Sequence, residues 1–201
     1  MTQAPSYGYA ELCVTSNFTF LTGASHPEEL VARAAELGLE AIAITDRNSL
    51  AGVVRAYAAL KELRRVREKG LPIRSQSQID PTSRTEVGAP QNIAVAPMAK
   101  LPRLIVGARL VLQDCAVEWL ALPTDRAAYE RLSQLLTLGK RRAPKGECHL
   151  LRADLLAGCR GMILIALACD PATALPSLQA MQRAYPGFVF LGAAPRYDGS
   201  D

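Results

Sequence analysis

Short apolar runs alternate with stretches of helical periodicity along the chain up to residue 70. Residues 9–15 predict a first strand, and the continuous apolar run at residues 41–45 predicts a second strand covered on both faces. Between them, Ser25 and Glu28 form a candidate capping box, and Gly38 is placed to end the helix that follows. The pattern therefore predicts parallel strands with helices outside the sheet.

A second helix is predicted after the polar turn at residues 46–49, and its far end at residues 61–69 is basic. The residues of its expected apolar stripe are Leu50, Val53, Val54, Tyr57 and Leu60. The rhythm then stops at residues 71–102, which are rich in Pro, Ser, Gln and Thr and have no sustained period. We expect this segment to be a flexible inserted surface loop.

The remainder of the chain returns to alternating strands and helices. Strands are predicted at residues 103–112, 117–122, 162–167 and 188–191, and helices at residues 150–156 and 171–185. A further helix is expected to be capped by Thr124 and ended by Gly139. About six strands fit, whereas a closed barrel of βα units needs eight or so. We therefore expect an α/β fold with mainly parallel strands that is incomplete on its C-terminal side and continues in a longer protein.

The composition limits the class of protein but does not indicate a particular reaction. Of the 201 residues, 49% are hydrophobic and 21% are charged, as in an ordinary globular domain. No apolar run reaches membrane-spanning length and the N-terminus lacks a secretory signal, so we expect a cytoplasmic protein with no membrane partner. The five cysteines include no Cys-x-x-Cys pair, which favours reduced and mostly buried thiols. The net charge of +4 is compatible with nucleic-acid contact but does not argue for it.

Two segments are distinctive: YAELCVTSNFTFLTGASHPEEL at residues 9–30 and AITDRNSLAGV at residues 43–53. They resemble the amino-terminal PHP (polymerase and histidinol phosphatase) domain of bacterial C-family DNA polymerases, nearest the error-prone, damage-inducible branch. LIVGARL at residues 104–110 and the stretch at residues 122–142 match in the same order. The resemblance implies that residues 1–201 form a partial PHP domain, a distorted βα barrel, with an inserted loop at residues 71–102.

The resemblance also implies where a metal site would lie, at the carboxyl ends of the strands. PHP domains that keep the metal have a His-x-His pair where this chain has Cys13 and Thr15. They have Asp-His at Asp46 and Arg47, and a glutamate at Arg109. Two arginines in such a pocket would repel a metal ion, so we expect neither a bound metal nor a catalytic residue in this chain. Asp46 is expected to be a turn residue or to form a salt bridge with Arg47 or Arg109.

Other candidate groups have an ordinary and a functional interpretation. The basic cluster Lys140, Arg141, Arg142 and Lys145 either complements a helix dipole or contacts DNA phosphate. Cys148 and His149 resemble half of a zinc site, but the other cysteines are distant in sequence, and core packing is favoured. Cys13 as a nucleophile would need a nearby base that the sequence does not show. His26 beside a helix start favours a local structural role.

Two functions from different classes follow from the resemblance. The favoured one is a non-catalytic scaffold domain of an error-prone DNA polymerase, a DNA-directed nucleotidyltransferase acting in translesion repair. Its partners would be the palm and thumb of the same chain, with DNA and translesion accessory proteins as further candidates. Mg²⁺ would serve the palm of the full-length enzyme, with no cofactor in this chain. The alternative is a freestanding metal-dependent phosphoesterase or exonuclease, and a decayed gene remnant is a third.

Overall fold

The structure, a computed structural model, describes residues 8–69, 100–167 and 171–192. Strands and helices interleave within these ranges, and most paired strands are parallel. The elements are β1 (Ala10–Val14), α1 (Pro27–Glu36), β2 (Ala41–Ile44), α2 (Ala51–Lys69), β3 (Arg103–Val106), β4 (Ala108–Leu110), β5 (Glu118–Pro123), α3 (Arg126–Arg142), α4 (Arg152–Gly158), β6 (Met162–Leu167), α5 (Pro171–Ala184) and β7 (Val189–Gly192). The predicted α/β class is confirmed.

The first sheet is parallel and has the order β1-β2-β3. Its central strand β2 is buried along its whole length, as its continuous apolar run predicts. Helices α1 and α2 cover it and contact each other, so that Val31, Ile44 and Leu60 share one apolar core. This sheet therefore has a small core built from short aliphatic side chains.

The second sheet has the order β4-β5-β6-β7 and is mixed. Strand β5 runs antiparallel to both β4 and β6, whereas β6 and β7 are parallel. Trp119 of β5 is fully buried and lies in the larger of the two core clusters, with Leu132, Leu164 and Met181 from the surrounding elements. Helices α3, α4 and α5 contribute to this cluster, which gives the second sheet the bulk of the apolar burial.

Gly107 separates β3 from β4 and carries the chain from one sheet to the other. A Cβ at this position would lie 2.5 Å from Cδ2 of Leu122 and 3.0 Å from Cγ2 of Thr45. The single strand predicted at residues 103–112 is therefore wrong, as is the estimate of six strands, since the described residues hold seven. An alternating pattern does not reveal where an extended chain changes its partner.

Helix termini differ from the sequence expectation in two places. The N-cap of α1 is His26 and not Ser25, and its N–H donates to Oε2 of Glu29 at 2.8 Å. The N-cap of α3 is Asp125 and not Thr124. Gly38, with a φ of 69°, follows the end of α1 as predicted.

Gly139 does not end α3, which continues to Arg142. It is buried inside the helix, and a Cβ there would lie 2.7 Å from Sγ of Cys148. The glycine therefore allows a close approach of the chain after the helix. A glycine at a helix terminus and one at a packing contact look the same in sequence.

The apolar stripe predicted for α2 is only partly right. The side chains of Val53 and Leu60 are buried, but Val54 is 71% and Tyr57 58% exposed. Ala56 and Leu63 complete the buried face at helical spacing. The prediction included Val54 and Tyr57 because their side chains are large and apolar, but both lie on the exposed side of the helix.

The predicted inserted loop at residues 71–102 lies almost entirely outside the described residues, so it stays a prediction. Among the helices that the structure describes, none has the length and apolar character needed to cross a bilayer.

Candidate functional site

Asp46 lies directly after β2, and its carboxylate is buried, with the residue only 1% exposed. Oδ1 accepts hydrogen bonds from the backbone N–H of Ser16 and from Oγ1 of Thr19, each at 2.8 Å. Oδ2 accepts one from Oγ of Ser16, also at 2.8 Å. We call Asp46, Ser16 and Thr19 the Asp46 clasp. It ties the loop after β1 to the end of β2.

Both hydroxyls of the Asp46 clasp also accept a bond from the backbone. Oγ1 of Thr19 accepts from the N–H of Arg47 at 3.0 Å, and Oγ of Ser16 accepts from the N–H of Phe18 at 3.2 Å. Gly52 closes the other side, because a Cβ there would lie 2.6 Å from Oδ2 of Asp46. The carboxylate is therefore satisfied by neutral donors, and the expected salt bridge with Arg47 or Arg109 is wrong.

Arg47 and Arg109 lie opposite each other in an isolated parallel bridge. The N–H of Arg109 donates to the backbone oxygen of Asp46 at 3.1 Å, and the N–H of Asn48 donates to the oxygen of Arg109 at 2.9 Å. The bridge brings together the ends of the two sheets. It also places two arginines at positions that the sequence resemblance assigns to a metal site.

Asn48 extends this connection with its side chain, a role that sequence reasoning missed. Its Nδ2 donates to the backbone oxygen of Val111 at 3.2 Å, and its Oδ1 accepts from the N–H of Val111 at 3.0 Å. The amide thus pairs with Val111 as a strand residue would. Its φ is 46°, a conformation in which asparagine is enriched, so the asparagine within the polar turn at residues 46–49 is the sequence signal that could have marked it.

The guanidinium of Arg109 is directed to Glu118 on the neighbouring strand β5. Nε of Arg109 lies 3.6 Å from Oε2 of Glu118, and the Arg109 side chain is 17% exposed. The ion pair lies near enough to Cys13 for both charges to act on the pKa of its thiol, Arg109 lowering it and Glu118 raising it. The guanidinium of Arg109 and the carboxylate of Glu118 therefore lie near Cys13, one of the predicted metal-site positions.

Cys13 lies within an irregularity of β1, whose register against β2 shifts between Glu11 and Val14. The residue is exposed, and of the four cysteines that the structure describes only Cys159 is buried, so the expectation of mostly buried thiols is wrong for them. Loss of solvent around the sulfur raises the pKa of the Cys13 thiol, the charge of Arg109 opposes this, and Glu11 adds to it. Because the thiolate is the nucleophile, a raised pKa lowers the fraction of Cys13 that is in the reactive form at neutral pH.

These groups do not fit a bound metal ion. Thr15 offers one neutral oxygen, Cys13 favours its protonated form, and Asp46 is enclosed by the Asp46 clasp. Within residues 8–69, 100–167 and 171–192, no three His, Cys, Asp or Glu side chains come close enough together to hold a metal. The positive charge of Arg109 would oppose one further.

The predicted basic cluster is divided by the structure. Arg142 forms an ion pair with Asp154 at 2.5 Å, whereas Arg141 is exposed. Lys140 and Lys145 line a cleft of about 730 Å³ together with Arg47. The cluster thus separates into one structural arginine, one solvated arginine and two cleft-lining lysines.

Cys148 and His149 also lie at this cleft, but they do not form a zinc half-site. Burial raises the pKa of the Cys148 thiol, with Lys140 opposing the shift. Nε2 of His149 lies 2.9 Å from Oε2 of Glu147. His26 has the local role expected of it, since its Nδ1 lies 2.8 Å from Nδ2 of Asn17.

The chain matches the family model of the PHP domain over residues 11–185. It is 72% identical over 194 residues to the error-prone DNA polymerase of Ruegeria pomeroyi (strain ATCC 700808 / DSM 15171 / DSS-3), covering 96% of this chain and 18% of the relative. It is 42% identical over 199 residues to the error-prone DNA polymerase of Rhodopseudomonas palustris (strain BisB5), covering 96% and 15%. The chain thus spans less than a fifth of the length of these curated relatives.

Two solved structures share the fold at low sequence identity. One is a putative metal-dependent phosphoesterase from Bifidobacterium adolescentis, with a TM-score of 0.55, 16% identity, and coverage of 94% of this chain and 78% of that one. The other is an amidohydrolase from Chromobacterium violaceum, with a TM-score of 0.53, 13% identity, and coverage of 92% and 76%. At such identities the likeness shows the arrangement of strands and helices alone.

Proposed function

This chain belongs to the PHP-domain family, and on that premise we propose that it is a non-catalytic scaffold domain of an error-prone DNA polymerase. The family resemblance predicted from the sequence is confirmed, and the relatives that carry the polymerase name are several times longer. DNA-directed nucleotidyl transfer in translesion repair, with Mg²⁺ in the palm, would belong to the longer protein. It would act in the cytoplasm on DNA, with translesion accessory proteins as further partners.

One observation carries the non-catalytic part of this proposal: the ion pair between Arg109 and Glu118 beside Cys13. A hydrolytic PHP site needs a metal ion that polarises phosphate and activates water. Here a fixed guanidinium occupies that neighbourhood, with a carboxylate that already neutralises it. The pair links neighbouring strands β4 and β5 of the second sheet and supplies no open coordination position.

The loop between β1 and α1 supports the scaffold part. Phe20 is 85% and Leu21 90% exposed, and Leu21 has a φ of 61°, an uncommon conformation for a bulky residue. Exposed apolar side chains held at a loop tip favour contact with another surface. We assign that surface to the rest of the polymerase chain, its palm or thumb, because the relatives continue far beyond the length matched here.

The test compares the wild-type chain with a variant in which the metal-site residues are restored, Cys13→His/Thr15→His/Arg47→His/Arg109→Glu. Each is titrated with Mn²⁺ and Zn²⁺ by calorimetry and assayed for hydrolysis of p-nitrophenyl phosphate. We expect no stoichiometric metal and no hydrolysis for the wild type, and metal binding for the restored variant. A matched control, Arg126→His/Arg141→His, places new histidines away from the site and should bind no metal.

Stoichiometric metal with metal-dependent hydrolysis by the wild-type chain would establish the freestanding phosphoesterase or exonuclease instead. The scaffold part has its own readout in the full-length polymerase carrying Phe20→Ser/Leu21→Ser. We expect its melting temperature to fall while the 201-residue chain carrying the same changes melts as before. Equal losses in both would mean that these side chains stabilise this domain itself and do not contact the remainder of the polymerase.

A further inference from the structure

A basic cleft lies between the β1–α1 loop and the segment that joins α3 to α4. Three cationic side chains line it, those of Arg47, Lys140 and Lys145, and Glu147 is its acidic residue. None of the three cations has an ion-pair partner within the described parts of the chain. We call this the basic cleft. The cleft has more positive than negative side chains, so it should attract an anion.

The walls of the basic cleft are fixed by hydrogen bonds. Lys145 lies in a turn in which the N–H of Glu147 donates to the backbone oxygen of Pro144 at 3.1 Å, and Gly146 has the positive φ of 97° that such a turn requires. The N–H of His149 donates to the backbone oxygen of Gly139 at 2.9 Å, which holds this segment against α3. Binding would therefore cost little ordering of the backbone.

Arg47 also lines the cleft, and its backbone is held by the Asp46 clasp, because its N–H donates to Oγ1 of Thr19. The clasp thus fixes the backbone of a third cation that lines the same cleft as Lys140 and Lys145. Glu147 weakens the positive field, but its carboxylate lies 2.9 Å from Nε2 of His149.

Phe18 gives the cleft an aromatic surface beside these cations. It is 39% exposed, and the guanidinium of Arg55 lies 6.0 Å from the centre of its ring. Arg55 is in turn fixed by its ion pair with Glu28 at 2.5 Å. A held aromatic ring next to cations is the combination that binds unpaired bases and their phosphates.

We propose that the basic cleft binds single-stranded DNA, with phosphates on Lys140, Lys145 and Arg47 and a base against Phe18. A volume of about 730 Å³ has room for a few nucleotide groups. The choice of DNA over other single-stranded nucleic acids rests on the proposed function. The phosphate and base contacts rest on the cleft alone.

The experiment measures fluorescence anisotropy of a labelled oligothymidylate of about twelve nucleotides, in the range of single-strand binding sites, over a series of salt concentrations. Lys140→Gln/Lys145→Gln should weaken binding about tenfold and reduce the salt slope by about 1.4, the value for two lost phosphate contacts. The matched control is Lys61→Gln/Lys69→Gln, which removes the same charge from exposed positions on α2. It should change the affinity by less than about twofold, because it lies outside the cleft.

Phe18→Ala tests the base contact separately. It should weaken oligothymidylate about fivefold or more, and leave the affinity for an abasic oligomer of the same length unchanged. Glu147→Gln should act in the opposite direction and tighten both ligands about twofold, because it removes the cleft's negative charge. Circular dichroism and melting of each variant separate loss of a contact from loss of the fold.

Equal weakening by the cleft pair and the control pair would overturn the proposal, since the effect would then be one of net charge. Absence of salt-dependent binding by the wild type would overturn it too, as would tighter binding of the duplex than of the single strand. Equal affinity for oligouridylate and oligothymidylate would retain the cleft but withdraw DNA as its particular ligand. None of these results depends on the metal titration, so the scaffold proposal and this one fail separately.

Discussion

The two sheets of this domain are stabilised in different ways. The second sheet surrounds a large apolar cluster with the fully buried Trp119 at its centre. The first sheet has a smaller aliphatic core, and the loop at its carboxyl edge is fixed by a buried carboxylate, Asp46. The same end of the sheet is where the family holds metal in its hydrolytic members. The difference teaches that the carboxyl edge of a sheet can be stabilised by hydrogen bonds to one buried carboxylate in place of an apolar cluster.

The two sheets should also differ in the substitutions that they tolerate. An apolar core loses stability in proportion to the volume removed. A buried carboxylate that accepts three hydrogen bonds depends on the number and direction of its donors. Changes in the second sheet should therefore follow size, and changes in the Asp46 clasp should follow hydrogen-bonding pattern even when size is kept.

The largest effect is expected from Trp119→Ala. Removing this side chain leaves a cavity in the larger core, and we expect the free energy of unfolding to fall by about 3 to 5 kcal/mol. Chemical denaturation monitored by circular dichroism measures it. Trp119→Phe is the matched control and should lose less than half as much, since most of the volume is kept. Equal losses would show that the indole is needed for something other than its volume.

Asp46→Asn should come next, with a loss of about 2 to 3 kcal/mol although the side-chain shape is unchanged. The amide nitrogen would replace one carboxylate oxygen and point its hydrogens either at Oγ of Ser16, or at the N–H of Ser16 and Oγ1 of Thr19, which now donate to that oxygen. Asp125→Asn is the control, because Asp125 accepts from the N–H of Ala128 at a helix cap where asparagine serves equally well. An Asp46→Asn protein as stable as the wild type would refute the importance assigned to the Asp46 clasp.

The smallest effect sharpens the same point with glycines. Gly52→Ala adds a methyl group 2.6 Å from Oδ2 of Asp46, and we expect it to cost about 1 to 2 kcal/mol despite the higher helix propensity of alanine. At Gly158 in α4 the nearest atom to a new Cβ is 3.8 Å away. Gly158→Ala should therefore be neutral or stabilise by up to about 1 kcal/mol. Thermal melts of both variants decide whether the enclosure around Asp46 is as tight as the geometry shows.

The elements themselves were largely predictable, because their periodicity reflects burial on one face or two. Residues 162–167 and β6 coincide, and the run at residues 41–45 gives β2 with one residue to spare. The break at Gly107 was not predictable, since it depends on Leu122 from another strand. The N-caps of α1 and α3 were missed by one residue because several candidate caps are adjacent in the sequence.

The positions of the site residues could be predicted from the sequence, but the contacts that these residues make could not. The substitutions at Cys13, Arg47 and Arg109 are visible in the sequence, and they indicate that a metal would be opposed. The hydrogen-bond partners of Asp46 are not visible there. Ser16 and Thr19 are small polar residues in a loop, and only their place beside Asp46 gives them a role.

The crossing at Gly107 has a consequence for the order in which this protein is made. Strands β1 and β2 leave the ribosome early, but β3, their parallel neighbour, follows only after the long stretch behind α2. Because Gly107 joins β3 directly to β4, the ribosome releases the last strand of the first sheet and the first strand of the second almost together. The first sheet therefore cannot be completed until this short segment has been synthesised, and the same segment supplies the first strand of the second sheet.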